Sequence, residues 1–149
     1  MAIEIEKKYR LSEAQKRFVL NALQELGAEF VGEDFEENIL YSSGMLAETF
    51  AVLRVRKTHG KTILTYKKRV QNEFNIKHQI EHETEVSNAE ELEKIIESLG
   101  FHKFVVYEKR RKTWNFRAVE IVLDELPFGE FMEIEGAITA IAEAEMLLD

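Results

Sequence analysis

Along much of the chain apolar and polar residues alternate one by one, the spacing of a strand whose two faces meet different surroundings. Such stretches run over Ile3-Ile5, Val52 to Arg56, Ile63 to Arg69, Ile76 to Val86, Phe104 to Phe116, Val119 to Asp124 and Glu130 to Glu135, and each predicts a strand. Thr58-His59-Gly60-Lys61 predicts the hairpin turn between two of them. Three other stretches repeat apolar residues at helical spacing. The first opens at Ser12 as N-cap, with Gln15 closing a capping box, and stops at Gly27; its stripe is Leu11, Phe18, Val19, Ala22, Leu23 and Leu26. The second opens at Ser87 with Glu90 as box partner, runs through Leu92, Ile95, Ile96 and Leu99, and stops at Gly100. The third begins near Gly136 and carries Ile138, Ile141, Ala142 and Leu148.

There is an internal echo in this pattern. Leu11-Ser12-Glu13-Ala14 opens a helix ending Leu26-Gly27, as Val86-Ser87-Asn88-Ala89 opens one ending Leu99-Gly100, and each follows a Glu-x-Glu strand. Two similar halves, each a sheet with a covering helix, suit a barrel built by duplication, although capping boxes and Leu-Gly endings also arise on their own. No linker or low-complexity tract interrupts the chain, and the one proline, Pro127, marks a loop beside Gly129. With 149 residues, 45% of them hydrophobic, the expectation is one domain over 1–149.

Charge narrows the function. The chain holds 28 acidic and 20 basic residues for a net charge of -8, which argues against nucleic acid as a general partner, because such binding rests on neutralising phosphates. No apolar run approaches the ~20 residues that span a bilayer, so no membrane role is expected. Glu4, Glu6, Lys7 and Lys8 stand where a signal peptide needs an apolar core, and cysteine is absent, so the cytoplasm is the expected compartment.

The charges are also sorted. Residues i and i+2 of a strand share a face, so Glu4, Glu6 and Lys8 point one way while Ile3, Ile5 and Lys7 point the other. The same spacing gives acidic pairs Glu83/Glu85 and Glu133/Glu135 and basic pairs Arg54/Arg56, Lys67/Arg69 and Lys109/Arg111. Like charges roughly 7 Å apart repel by about 0.6 kcal/mol in water and about 2.4 kcal/mol at an effective dielectric of 20. Any one pair reads as an ordinary solvated face. Six of them segregated by sign read as a site: acids gathered for a hard divalent cation such as Mg²⁺ or Mn²⁺, and bases gathered for a polyphosphate.

Three other motifs have simpler readings. His78-Gln79-Ile80-Glu81-His82 matches a zinc-protease pattern, but that chemistry needs a helix, and here the motif leads into an acidic strand. Gly60-Lys61-Thr62 imitates the end of a phosphate-binding loop without the helix that should follow, and reads as a turn. Trp114 and Tyr107 could stack on a base, but aromatics in strands are usually core or cross-strand partners.

The charged strands resemble those of CYTH domains, the triphosphate tunnel metalloenzymes. Glu4-Ile5-Glu6-Lys7-Lys8 is similar to the ExExK signature that opens the family, Leu53-Arg54-Val55-Arg56-Lys57 to its LRxRK strand, Leu64-Thr65-Tyr66-Lys67 to its lysine strand and Glu83-Thr84-Glu85-Val86 to its second acidic strand. Lys109-Arg110-Arg111, Leu123-Asp124 and Gly129 to Glu135 follow in the family's order. The resemblance implies an α+β fold: an eight-stranded antiparallel closed barrel with helices packed outside and a charged tunnel within. It implies metal on Glu4, Glu6, Glu133 and Glu135, with Glu83, Glu85 and Asp124 adding to the acidic side. Phosphates would be gripped by Lys8, Arg54, Arg56, Lys67, Lys109 and Arg111, and catalysis would centre on Glu4, Glu6 and Lys8.

The expected function is hydrolysis of a small-molecule triphosphate with Mg²⁺ or Mn²⁺. One rival is a class IV adenylate cyclase, against which Asn38-Ile39-Leu40-Tyr41-Ser42 lacks the Asp-x-Tyr-Phe-Asp-like segment of that class. The other is a binding module for polyphosphate or a nucleotide that performs no turnover. Assembly is left open between a monomer and a homodimer.

Overall fold

A computed structural model describes residues 2–70 and 76–148. The elements run β1 (Ala2–Leu11), α1 (Glu13–Glu25), β2 (Glu29–Ser42), α2 (Gly44–Glu48), β3 (Ala51–Thr58), β4 (Lys61–Val70), β5 (Lys77–Val86), α3 (Ala89–Ser98), β6 (His102–Phe116), β7 (Val119–Leu126), β8 (Gly129–Glu135) and α4 (Ile138–Leu148). The eight strands close into an antiparallel barrel in the order β1-β5-β4-β3-β2-β6-β7-β8. This order maps onto itself when β1, β2, β3 and β4 exchange with β5, β6, β7 and β8. The echo around the two strand-helix junctions therefore has a counterpart in the topology.

Local chemistry sets the joints. Ser12 caps α1 with the expected reciprocal box: its Oγ accepts from the Gln15 amide at 3.2 Å, and the Gln15 side chain accepts from the Ser12 amide at 2.8 Å. For α3 the cap is Asn88 rather than Ser87, with Oδ1 accepting from the Glu91 amide at 3.1 Å. Asparagine and serine cap equally well, so the sequence alone leaves adjacent candidates undecided. His59 and Gly60 make the β3–β4 hairpin with φ of 47° and 73°, the left-handed pair that suits strand twist. The third helix starts two residues after Gly136, which belongs to the strand end: its amide donates to the Ile5 carbonyl at 3.1 Å. A Cβ there would stand 3.0 Å from Val119 and 3.2 Å from the Ala118 carbonyl, a tight fit that any side chain could gain only by shifting these neighbours.

The apolar core lies outside the barrel, between strand outer faces and helices. One cluster joins Val19 and Leu23 of α1 and Ile141, Ala144 and Leu148 of α4 to Trp114, Ile121, Met132 and Ile134 of the barrel wall. A second joins Leu92 and Ile96 of α3 to Ile39, Tyr41 and Val55. Ile5, Leu53 and Val55 meet these clusters as their strand parity predicts, but Ile3 is 60% exposed near the end of β1. Of the expected α1 stripe, Phe18 and Leu26 are also exposed. Trp114 packs in the core against Phe30, with ring centroids 5.2 Å apart, and is turned away from the barrel interior.

Two elements are missing from the sequence reading, the short helix α2 and, more consequential for the site, the strand β2. Its 14 residues begin Glu29-Phe30-Val31-Gly32-Glu33-Asp34 and continue with more acids, and the ladder to β6 carries an irregularity between Phe30 and Gly32 that shifts the face. A bulge breaks period-2 alternation, which hides the strand from pattern reading. Among the described residues no helix is long and apolar enough to cross a membrane.

Candidate active site

Strand parity delivers the charged residues to one place. A cavity of about 240 Å³ inside the barrel is lined by Glu4, Glu6 and Lys8 of β1, Arg54 and Arg56 of β3, Lys67 of β4, Gln79, Glu81 and Glu83 of β5, Tyr107, Lys109 and Arg111 of β6, Glu120 and Val122 of β7, and Glu133 and Glu135 of β8. All six expected phosphate ligands are among them. In barrel order the acidic strands β7, β8, β1 and β5 are contiguous, and so are β4, β3, β2 and β6, which carry all the lining bases except Lys8. The interior is thus split into an acidic half and a basic half.

Ion pairs stitch the two seams where the halves meet. At one, Lys67 of β4 lies 3.3 Å from both Glu81 of β5 and Glu4 of β1. At the other, Arg111 of β6 grips both oxygens of Asp124 on β7 at 2.7 and 2.8 Å, with Glu133 at 3.5 Å. Within the basic half, Glu36 and Asn38 of β2 are buried between the basic strands. The Arg56 Nε lies 3.0 Å from each of them, and the Lys109 amine lies 3.7 Å from Glu36 and from Asp124.

Two cations are left with spare capacity. Among the described residues Lys8 and Arg54 make no ion pair; Arg54 has only Thr65 Oγ1 at 3.5 Å, and its buried Nε has no hydrogen-bond partner. On the acidic half the buried Oε2 of Glu6 is likewise unpartnered. Buried polar atoms are normally satisfied, so an orphan donor facing the basic half and an orphan acceptor facing the acidic half describe a site built for an anion and a cation together.

Protonation follows the crowding. Burial, then the hydrogen bond and charge of Glu133, push the Glu6 carboxyl up to about 9. Burial also opposes ionisation of Glu133, but the proton held by Glu6, together with Arg111, Lys109 and Lys8, keeps it well below the usual carboxylate range. Glu4 and Glu81 form a second pair, with Glu4 raised by burial and its bond to Glu81, while Glu81 is lowered against its burial by that bond and by Lys67. Glu135 is raised to about 7 by burial and by Glu4 and Glu120. Like charges this close cannot all ionise unless a cation joins them. Among the described residues no three carboxylates converge into a ready-made metal cage. Shared protons and an unpartnered Glu6 oxygen nonetheless make this oxygen-only donor set fit a hard divalent ion, with Glu4, Glu6, Glu83, Glu133 and Glu135 available to hold it.

Two of the seven carboxylates expected at the metal stand apart. Asp124 is buried with both oxygens taken by Arg111, so it fixes that guanidinium. Glu85 shares the inward parity of Glu81 and Glu83 but is exposed beyond the cavity lining, because β5 runs on past it. Sequence reasoning missed Glu36, Asn38, Glu81 and Glu120 as wall residues. Glu81 was legible: it lies two residues before Glu83 and shares its face, inside the stretch whose histidines imitate a zinc motif. That motif is on a strand, with Glu81 facing inward and the His82 ring stacked on Tyr66 at 6.0 Å on the other face.

Burial and the nearby Arg111 lower the Lys109 amine to about 8, against the pull of Asp124 and Glu36. It is an ammonium below that pH and a neutral amine above it, so its attraction for any anion in the cavity fades as pH rises. In calorimetric titrations with inorganic tripolyphosphate, the affinity advantage of the native protein over Lys109→Gln is expected to shrink between pH 7 and 9. An advantage that stays constant would show that Lys109 does not ionise in this range. Taking the ratio of the two proteins cancels the ligand's own protonation.

Comparison with known proteins agrees with this interior. The sequence model of the CYTH domain matches residues 2–148. A Methanocaldococcus jannaschii protein described as a putative adenylate cyclase is 29% identical over 151 aligned residues, which cover 99% of this chain and 84% of that protein. The structure of the PH1012 protein from Pyrococcus horikoshii superposes with a TM-score of 0.79 at 28% identity, covering 97% of this chain and 85% of that one. A Hippeastrum adenylyl cyclase homologue, whose structure is reported with a dominant triphosphatase activity, shares the fold with a TM-score of 0.72 at 18% identity, over 96% and 84% of the two chains. The closed barrel with its sorted interior, together with a family match over nearly every residue, makes this chain a member of the CYTH domain family, whose members are triphosphatases or adenylate cyclases.

Proposed function

We propose that the chain is a divalent-metal-dependent triphosphatase, hydrolysing a phosphoanhydride bond of a triphosphate held inside the barrel. The observation that carries this reading is a set of complementary orphans in one cavity: the Arg54 Nε donor on the basic half and the Glu6 Oε2, Gln79 Oε1 and Glu81 Oε2 acceptors on the acidic half. Lys8, Arg54, Arg56, Lys67, Lys109 and Arg111 hold the phosphate chain, Arg56 and Arg111 as guanidiniums pre-aimed by Asn38 with Glu36 and by Asp124. Glu4, Glu6, Glu133 and Glu135, with Glu83, hold Mg²⁺ or Mn²⁺. When bound, the ion neutralises phosphate charge and polarises the phosphorus under attack.

Water attacks phosphorus, the bond to the bridging oxygen breaks, the leaving phosphate carries off the electron pair, and the proton lost by the water passes to that phosphate or to solvent. The basic wall stabilises the charge that grows on it, so the protein acts mainly by position and electrostatics. Lys8, which makes no ion pair among the described residues, is a lining base carried by the acidic strand β1, so on this reading it meets the substrate from the side of the metal.

A second reading, cyclisation of ATP, rests on the likeness to the Methanocaldococcus protein. The segment that departs from the cyclase pattern gives it little help. Asn38 is spent on Arg56 and Glu36, Tyr41 is buried in the α3 cluster, and Ser42 ends β2. Incubating the protein with inorganic tripolyphosphate and with ATP, in Mg²⁺ and in Mn²⁺, and resolving products by ion chromatography, is expected to show hydrolysis of both. Cyclic AMP and pyrophosphate as dominant products, with tripolyphosphate intact, would overturn it in favour of the cyclase. Tight binding in EDTA with no turnover in either metal would favour a sequestering module.

A further inference from the structure

Beside Lys8 and Tyr107 the cavity continues into a row of aromatic rings that the phosphate chemistry does not use. Lys8 and Tyr107 line the cavity itself. Tyr107 meets the ring of Phe128 edge to face, with centroids 6.4 Å apart, and Phe128 meets Phe131 in the same manner at 5.9 Å. The Lys8 amine lies 4.9 Å from the Phe131 centroid and the Arg10 guanidinium 5.5 Å from it. Arg10 also donates from Nη2 to the Phe128 carbonyl at 2.9 Å, which pins the β7–β8 turn that carries the ring. Gly129 has φ 151°, and a Cβ there would meet this guanidinium at 3.0 Å, so the pin needs glycine.

Phe128 is nevertheless 57% exposed. Tyr107 and Phe131 meet it edge to face and leave it open, although an ordinary turn would place a polar residue here. A held, half-open aromatic ring adjoining a phosphate cavity is the arrangement by which proteins receive a flat base, since base stacking on an aromatic side chain is worth about 1–3 kcal/mol.

We propose that Phe128, backed by Tyr107 and Phe131, is the platform on which the uncharged aromatic ring of a nucleoside triphosphate stacks while its phosphate tail enters the cavity past Lys8. The inference rests on the triphosphate reading of the cavity and names the organic end of its substrate. The charge of the ring follows from the rim. Lys8 and Arg10 already occupy the neighbourhood of Phe131, so a cationic heteroaromatic ring meets two like charges, whereas a neutral base gains the stacking without that cost.

The test uses Phe128→Ala and, as a control for bulk without aromaticity, Phe128→Leu. Equilibrium dissociation constants for ATP, inorganic tripolyphosphate and thiamine triphosphate are measured calorimetrically in Mg²⁺, and turnover of each is followed in parallel. Native protein is expected to bind ATP more tightly than thiamine triphosphate. Both variants are expected to weaken ATP binding by about 5- to 100-fold while leaving tripolyphosphate binding within twofold. Equal loss for ATP and tripolyphosphate, or no loss for either, would overturn the platform and leave the phosphate site standing. Selective loss of ATP binding in a protein that turns nothing over would uphold the platform and overturn the triphosphatase. Native protein that binds neither ATP nor tripolyphosphate would overturn both, and tighter binding of thiamine triphosphate than of ATP would overturn the choice of a neutral ring.

Discussion

Glu6→Gln is expected to lose metal-dependent turnover by two orders of magnitude or more while leaving the metal-free protein more stable, most visibly at alkaline pH. Glu6 is 3% exposed and carries one of the unpartnered buried oxygens of the acidic half. As a proposed metal ligand its charge is needed for catalysis, and the isosteric amide keeps the shape without the charge. The effect on stability has the opposite sign. Burial and Glu133 raise the Glu6 carboxyl to about 9 in the fold against about 4.5 when unfolded, so between those values the native state binds the extra proton. Stability from this group is therefore full below about 4.5 and is lost as pH rises through about 9.

Without metal, the native protein should melt at progressively lower temperature from pH 5 to pH 9, and Glu6→Gln should flatten that decline. Glu135, raised to about 7, contributes a smaller part of the same slope that survives in the variant. Scanning calorimetry across pH with chelator present, beside assays with Mg²⁺, reads both effects. A variant that unfolds more easily at every pH while keeping its turnover would make Glu6 a structural residue and remove it from the metal site.

The second large effect concerns the seam between β6 and β7. Arg111→Met is expected to destabilise the protein by about 3 kcal/mol, because it strands the carboxylate of Asp124, 2% exposed, in a closed wall. Lys109, 3.7 Å away, remains to offset part of the loss. Arg111→Met with Asp124→Leu should recover most of that stability, since replacing a buried ion pair by apolar residues of similar volume is often neutral or favourable. It should not recover turnover, because the proposed phosphate grip is gone. Urea denaturation of the two single variants and the double variant closes the cycle. Additive losses would show that Arg111 and Asp124 do not depend on each other, and restored catalysis in the double variant would take Arg111 out of the substrate site.

What could be read from the sequence depended on whether strand parity was intact. Glu4/Glu6, Arg54/Arg56 and Glu133/Glu135 lie in strands with uninterrupted alternation, so spacing alone put each pair on one face. Nothing in that spacing says whether a polar face turns outward to water or inward to a cavity; closure came from the family resemblance and from the ladders that join β1 to both β5 and β8. The wall residues of β2 stayed hidden because an irregularity and a run of acids obscure the period there, and Glu36 and Asn38 became visible only through their contacts with Arg56. The stacking rings were unreadable for another reason. Tyr107, Phe128 and Phe131 come from different strands and a turn, and only folding brings them together.

The strand order is unchanged by exchanging its two halves, but the charges are not. The bases of β3 and β4 correspond to the acids of β7 and β8. A scaffold with that symmetry would accept an elongated ligand in either of two directions with equal ease. β1 and β5 keep the same sign, but inverting the charges between β3 and β7 and between β4 and β8 turns the cavity into a fixed transverse dipole, and a field has a direction even where a backbone does not. A phosphate chain lying against one wall with its counter-ion against the other can then settle in only one sense across the barrel. On the proposed reading, the side of the phosphate chain that carries the ion is fixed before any group at either end of the molecule has been recognised, and the choice between the two ends is left to groups at the mouths of the barrel.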